Sequence, residues 1–253
     1  MTKRFYKDAV TSPSDRDFWG VELDGKPVKT PTGKPLVATS RSIAERIRRE
    51  WLDQGENIRP DTMPVTRLVG VALERAASRE TLVDDIRAYA ATDLLSYRAD
   101  AGPSDRGLID PDSQGGPFSA RQAGAFDPLL AWMETRGLPL RTTTGLLPIA
   151  QDPLTLDRLA EHARLYDDLG LTLFAHLTAT YGSAALALAV MQARLEAGEA
   201  FDLSQLDETF RAETWGEDAE ASARAHAIRA DTVAVAAVLP DLAVPALPET
   251  NTV

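Results

Sequence analysis

The chain reads as an α+β protein, a small N-terminal domain containing antiparallel β-structure followed by a mostly α-helical C-terminal domain. Three observations predict this. Short β-prone runs separated by glycine turns fill the first forty residues. Beyond them, apolar residues recur at helical spacing almost to the C-terminus. Between the two parts, the stretch ADAGPSDRGLIDPDSQGGPF (99–118) has no period and is dominated by Pro, Gly, Asp and Ser, the composition of a boundary or long surface loop. The expected organisation is an α+β domain over 1–100, a linker over 101–118, a helical domain over 119–240 and a loose, proline-interrupted tail over 241–253.

Each element has a local reason. FWGVELDGKPVKT places an Asp24-Gly25 turn between two β-prone runs, and PTGKPLVAT repeats the device at Gly33. Pro27, Pro31 and Pro35 suit turns and edge strands and forbid helix. The period then changes. TSRSIAERIRREWLDQG carries Ser42 and Glu45 at capping-box spacing, an apolar face at Ile43, Ile47 and Trp51, and a stop at Gly55. A second helix is expected over 63–78, where Pro64 is tolerated in the first turn. A third is expected over SRETLVDDIRAYAATDLL (78–95), with Leu82, Ile86, Tyr89 and Ala90 as its stripe, and LLSYRA can return to the sheet. Further helices are expected over 119–136, 153–167, 171–180, 183–197, 203–213 and 217–238, with an extended piece near 138–149.

Composition narrows the function. With 27 basic and 38 acidic residues the formal charge is -11, which argues against general binding to nucleic acid or anionic membrane. The absence of cysteine removes disulfides, thiolate nucleophiles and zinc–cysteine sites. The basic N-terminus lacks the apolar core of a signal peptide, and AALALAV (184–190) is too short to span a bilayer, so a cytoplasmic location is expected.

Motif searches return little chemistry. Gly25 and Gly33 are wrongly spaced for a phosphate loop, and the intervening prolines remove amide donors. DPDSQGG (110–116) mimics the start of a calcium loop, but its twelfth position is Arg121 where a bidentate glutamate is needed. Ser183 lacks a GxSxG context and reads as a helix N-cap. His176 reads as a hydrogen-bonded core histidine, and spacing names no partner for His162 or His226. No catalytic residue, metal site or cofactor site is therefore assigned.

One acidic stretch remains, RAETWGEDAEASARAHAIRADTVAV (211–235). If Gly216 separates two helices, Glu217, Asp218 and Glu220 fall in the first turn of the second, where they complement the helix dipole. Glu220 can also pair with Arg224 at i,i+4. The density just upstream, Asp207, Glu208 and Glu213 beside Leu206, Phe210 and Trp215, is not explained by capping. A hydrolase or other enzyme using these carboxylates as acid and base is one alternative, requiring an apolar pocket and a strongly shifted pKa. A generic structural partner module is another.

At this point the residues resemble a known family, the assembly chaperones that hold the unassembled alpha subunit of the ATP synthase catalytic sector in mitochondria and alphaproteobacteria. The resemblance rests on RFYK (4–7), LDGKPVKTP (23–31), EWLDQGENIRPDTMPVTRL (50–68), YAATDLLSYRA (89–99), RQAGAFDPLL (121–130), GSAALALAV (182–190) and LDETFRAETWGEDAEA (206–221), in order. Ser96, Phe126 and Arg211 depart from the residues usual there, cysteine, tryptophan and glutamine.

The resemblance implies a non-enzymatic, ATP-independent chaperone without cofactor, expected to be monomeric, whose eukaryotic relatives work in the mitochondrial matrix. It places the partner-binding positions on Asp207 and Glu208, joined here by Glu213, Trp215, Asp218 and Glu220. Trp51 is a second sensitive position, which its place on the Ile43/Ile47 face also explains as core, and Gly216 sets helix geometry.

Overall fold

Asp24 and Gly25 turn the chain with φ of 47° and 79°, a pair of left-handed residues matched to strand twist. The turn joins β3 (Trp19–Leu23) to β4 (Lys26–Pro27), as expected from the sequence. The computed structural model describes residues 2–14, 17–75, 78–99, 118–144 and 147–248. Most of the irregular stretch 99–118, including the calcium-loop mimic, lies outside the described residues, as does 249–253.

The chain divides into two units. The first comprises 1–79, 166–173 and 233–244; the second comprises 80–165, 174–232 and 245–253. In the first, β3 is central: β2 (Ala9–Pro13) pairs along one edge, while β4 and β5 (Val37–Ala38) share the other. The strand β1 (Thr2–Lys3) pairs separately with β6 (Asn57–Ile58). Alternation buries Val21 and Leu23, and α1 (Arg41–Leu52) packs over β2, β3 and β5 through Ile43, Ala44 and Ile47.

The expected capping box is shifted. Ser40, not Ser42, caps α1 by accepting from Ile43 N at 3.1 Å. Glu45 instead accepts from Thr11 Oγ1 of β2 at 2.8 Å and from Arg48 Nε of the same helix at 2.7 Å, which takes its carboxylate away from the helix start. Trp51 is half-buried, edge-on to Tyr6 with ring centroids 5.6 Å apart, and its carbonyl accepts the Tyr6 hydroxyl at 2.6 Å.

Glu50 caps a helix remote from itself. Its carboxylate accepts from Val65 N at 2.7 Å, Thr66 N at 2.8 Å and Thr66 Oγ1 at 2.6 Å, at the start of α2 (Pro64–Arg75). Gln54 ties the intervening loop, donating to the Glu50 carbonyl and Thr62 Oγ1 and accepting from Arg59 N.

The third helix, α3 (Arg79–Ala91), stops short of the expected length. Asp93 accepts from Leu95 N and starts a 3-10 turn, Leu94–Ser96, in its place. LLSYRA does not rejoin the N-terminal sheet. Its strand β7 (Tyr97–Arg98) pairs in parallel with β8 (Thr143–Thr144).

The remaining helices are α4 (Phe118–Thr135), α5 (Pro153–Arg164), α6 (Asp168–Tyr181), α7 (Ala184–Met191), α8 (Ala197–Ser204), α9 (Leu206–Trp215) and α10 (Ala219–Ala236). Where 183–197 and 203–213 were expected, three helices form. Ala193, with φ of 53°, ends the run after Met191 and lets α8 begin separately. Beyond α10, Asp241 accepts from Ser40 Oγ, Pro245 O accepts from Gln192 Nε2, and Leu247 is buried.

All eight residues of α7 are buried. Ser183 caps it, as expected, accepting from Leu186 N at 3.0 Å while donating to Asp93 Oδ1 at 2.7 Å. Asp93, wholly buried, also accepts from Ala185 N at 3.0 Å. Around this point Gln151 donates to Ser96 Oγ, and Gln122 accepts from Ala99 N. Arg98 lies 4.8 Å over the buried Phe126 ring and pairs with Asp127 at 2.8 Å. His176, expected in the core, is only half-buried, and His162 is the buried histidine.

Replacing Asp93 with Ala strands two buried amides and a hydroxyl, and an equilibrium urea titration is expected to show a loss of roughly 3–5 kcal/mol, larger than for Asp93→Asn. Burial holds the His162 pKa below its ordinary value of 6.5. The neutral ring therefore contributes stability that is complete above that value and lost as pH falls through the folded one. Melting curves of His162→Phe should depend less on pH than wild type between about pH 7 and about pH 5.

Candidate functional site

Polar residues in most of the motif runs are engaged internally, as Glu50, Gln54, Asp93, Gln122 and Ser183 show. The last run behaves differently. From 206 to 231, across α9 and most of α10, no residue is buried. Local devices contribute to helix stability there. Alanine, the strongest helix former, occupies eight of the 18 positions of α10. Asp218 caps that helix, accepting from Glu220 N at 2.9 Å and Ala221 N at 3.2 Å, and Glu220 pairs with Arg224 at 3.0 Å. Of the three carboxylates expected in the first turn, only Glu220 lies in it; Asp218 stands just before the helix as its cap, and Glu217 precedes it.

Gly216 ends α9 with φ of 97° and ψ of 153°, a region that side chains disfavour, and its amide donates to Ala212 O at 2.9 Å. The open conformation after it separates α9 from α10.

Helical geometry divides α9 into two faces. Leu206, Phe210 and Glu213, at i, i+4 and i+7, form one. Phe210 stacks on Phe118 with centroids 4.7 Å apart and planes 29° apart. Glu213 receives both terminal nitrogens of Arg121, one of them at 2.9 Å. The guanidinium holds the Glu213 carboxyl below the usual glutamate range, the opposite of what a general acid needs near neutrality.

Glu208, Arg211 and Trp215, with Asp207 at the edge, form the other face. Arg211 pairs with Asp207 at 2.7 Å and Glu208 at 3.2 Å, so it partly neutralises the two acidic candidates. Trp215 is 62% exposed beside them. Glu217 has no charged or hydrogen-bonding partner among the described residues.

The structure therefore brings Asp207, Glu208 and Trp215 together, turns Glu213 away from them, and gives Asp218 and Glu220 local roles on α10. Trp51 belongs to a different unit from all of these. Sequence reasoning missed Phe118 and Arg121 as neighbours of this surface. Among the described residues, no three His, Cys, Asp or Glu side chains are grouped to hold a metal ion, and no helix is long and apolar enough to cross a membrane.

Residues 3–134 match the model of the family described as ATP12 chaperone protein. The chain is also similar to Atp12 from Paracoccus denitrificans, at 34% identity and a TM-score of 0.82 over 94% of this chain and 97% of that one. An aspartate-to-lysine mutant of the same Paracoccus protein gives 34% identity and a TM-score of 0.81 over the same shares. A protein from Agrobacterium tumefaciens gives 36% identity and a TM-score of 0.82, over 94% of this chain and 85% of that one.

Asp218→Ala should loosen the start of α10 by about 1 kcal/mol, seen as faster hydrogen exchange at residues 220–222. Trp215→Ala, which removes an exposed ring, should shift overall stability by less than about 0.5 kcal/mol in the same denaturant assay.

Proposed function

The chain belongs to the ATP12 chaperone protein family, whose members serve ATP synthase assembly, and from that premise we propose that it binds the unassembled alpha subunit of the catalytic sector until alpha pairs with beta. An alpha subunit waiting for beta exposes a subunit interface that is buried in the finished complex, and such surfaces aggregate. Covering that interface requires a complementary surface and no hydrolytic step.

The observation that carries the reading is the helix pair over 206–231, which buries no residue, in a protein where polar residues of most other motif runs are engaged internally. On its outer face Asp207 and Glu208 offer charge to basic residues of alpha, and Trp215 offers an aromatic anchor. The surrounding stretch 174–232 has ten carboxylates and four arginines, which favours encounter with a basic partner surface. Rim charges of this kind act on association rate and specificity more than on final affinity.

A pull-down of separately expressed alpha and beta subunits tests the reading. Alpha alone should be captured, and added beta should release it. Asp207→Lys and Glu208→Lys should each reduce capture about tenfold, with faster loss as salt rises. Equal capture of both subunits, or none of alpha, would overturn it.

A further inference from the structure

We propose that Phe118 and Arg121 are positioning residues for α9, forming a two-rung clasp that determines which face of the helix is presented to a partner. The inference has a physical core, the clasp, and a functional consequence that rests on the reading of α9 given above.

The geometry is a pair of matched spacings. Phe118 and Arg121 are three residues apart in the first turns of α4, and Phe210 and Glu213 are three residues apart on α9. Residues at that spacing share a helix face, so each helix presents one aromatic ring and one charge to the other. The rings stack at 4.7 Å, and the guanidinium meets the carboxylate through two hydrogen bonds. Because an Arg–carboxylate fork is planar, it constrains orientation as well as distance.

The clasp matters because α9 has little else to hold it. No residue of the helix is buried, and the chain leaves it through the open backbone of Gly216. Hydrophobic burial fixes rotation for most helices; here the stack and the fork must do so. A rotation of α9 that broke them would turn Asp207, Glu208 and Trp215 away from their present side. The Arg121 and Glu213 side chains are 29% and 52% exposed, so solvent ions reach the charged rung and salt weakens it. The aromatic rung is insensitive to salt, which makes the two separable.

The test uses the full chain. Hydrogen exchange is followed across 206–215, with α7 as an internal standard, in wild type, Arg121→Gln, Glu213→Gln, Phe210→Ala and the reciprocal pair Arg121→Glu with Glu213→Arg. Single changes should speed exchange in α9 about threefold to tenfold and leave α7 unchanged. Wild type should move the same way between about 50 mM and about 500 mM salt, and the reciprocal pair should return exchange toward wild type. Unchanged exchange in the single variants, or no recovery in the reciprocal pair, would overturn the clasp. Alpha-subunit capture is measured on the same proteins. Loss in Arg121→Gln with recovery in the reciprocal pair supports positioning of a partner surface. Faster exchange with capture unaltered leaves the clasp standing and rejects α9 as the surface that alpha reads.

Discussion

A carboxylate placed against the free amides of a helix far away in sequence is the constraint on which much of this structure depends. Asp93 is wholly buried, yet its oxygens accept from Ala185 N, Leu95 N and the Ser183 hydroxyl. Burying a carboxylate is costly unless donors replace water, and a helix N-terminus supplies both donors and a favourable dipole. In return the first turn of α7, a helix with no solvent-facing residue, finds the partners its amides cannot obtain from water. Glu50 repeats the arrangement in the other unit, where it holds the start of α2 fifteen residues on. Burial pushes both carboxyls up, and the donors around them pull the other way.

This arrangement gives the motif runs a physical meaning. Asp93 with Ser183, and Arg98 with Gln122 and Asp127, join separate runs through hydrogen bonds, while Glu50 with Thr66 ties together the two ends of one run. Such sets specify one packing because a partner lost from any of them leaves a buried polar group unsatisfied. The run over 206–221 is bonded differently. Its charges meet neighbours on the same helix or at an exposed rung on α4, and its helices rely on alanine and caps. The residues that hold the fold together are thereby different from those left exposed over 206–221, an arrangement compatible with the partner surface proposed for α9.

The candidate site was only partly legible in the sequence. Glu220 with Arg224 and Gly216 as a break follow from spacings of four residues or fewer, while Asp218, expected in the first turn, stands one position earlier as the cap. The role of Glu213 does not, because Arg121 lies 92 residues away. The same holds for Phe118 beneath Phe210. No local pattern marks an aromatic or a charge as one rung of a ladder between two helices. The capping box failed for a related reason: Ser42 and Glu45 have the right spacing, but Glu45 finds Thr11 on a strand 34 residues away.

By itself the sequence determined the α+β class, the Asp24-Gly25 hairpin, most helix positions, the Ser183 cap and the family. All of these depend on the intrinsic preferences of a residue and its near neighbours, or on motif order along the chain. Tertiary structure alone decided that Ser40 caps α1, that LLSYRA pairs with Thr143–Thr144, and that Glu213 meets Arg121 of α4 while Glu208 and Trp215 lie on the other face. Each of those outcomes is a choice between partners of similar local merit. Only the arrival of a distant strand, carboxylate or guanidinium makes one partner better than the rest.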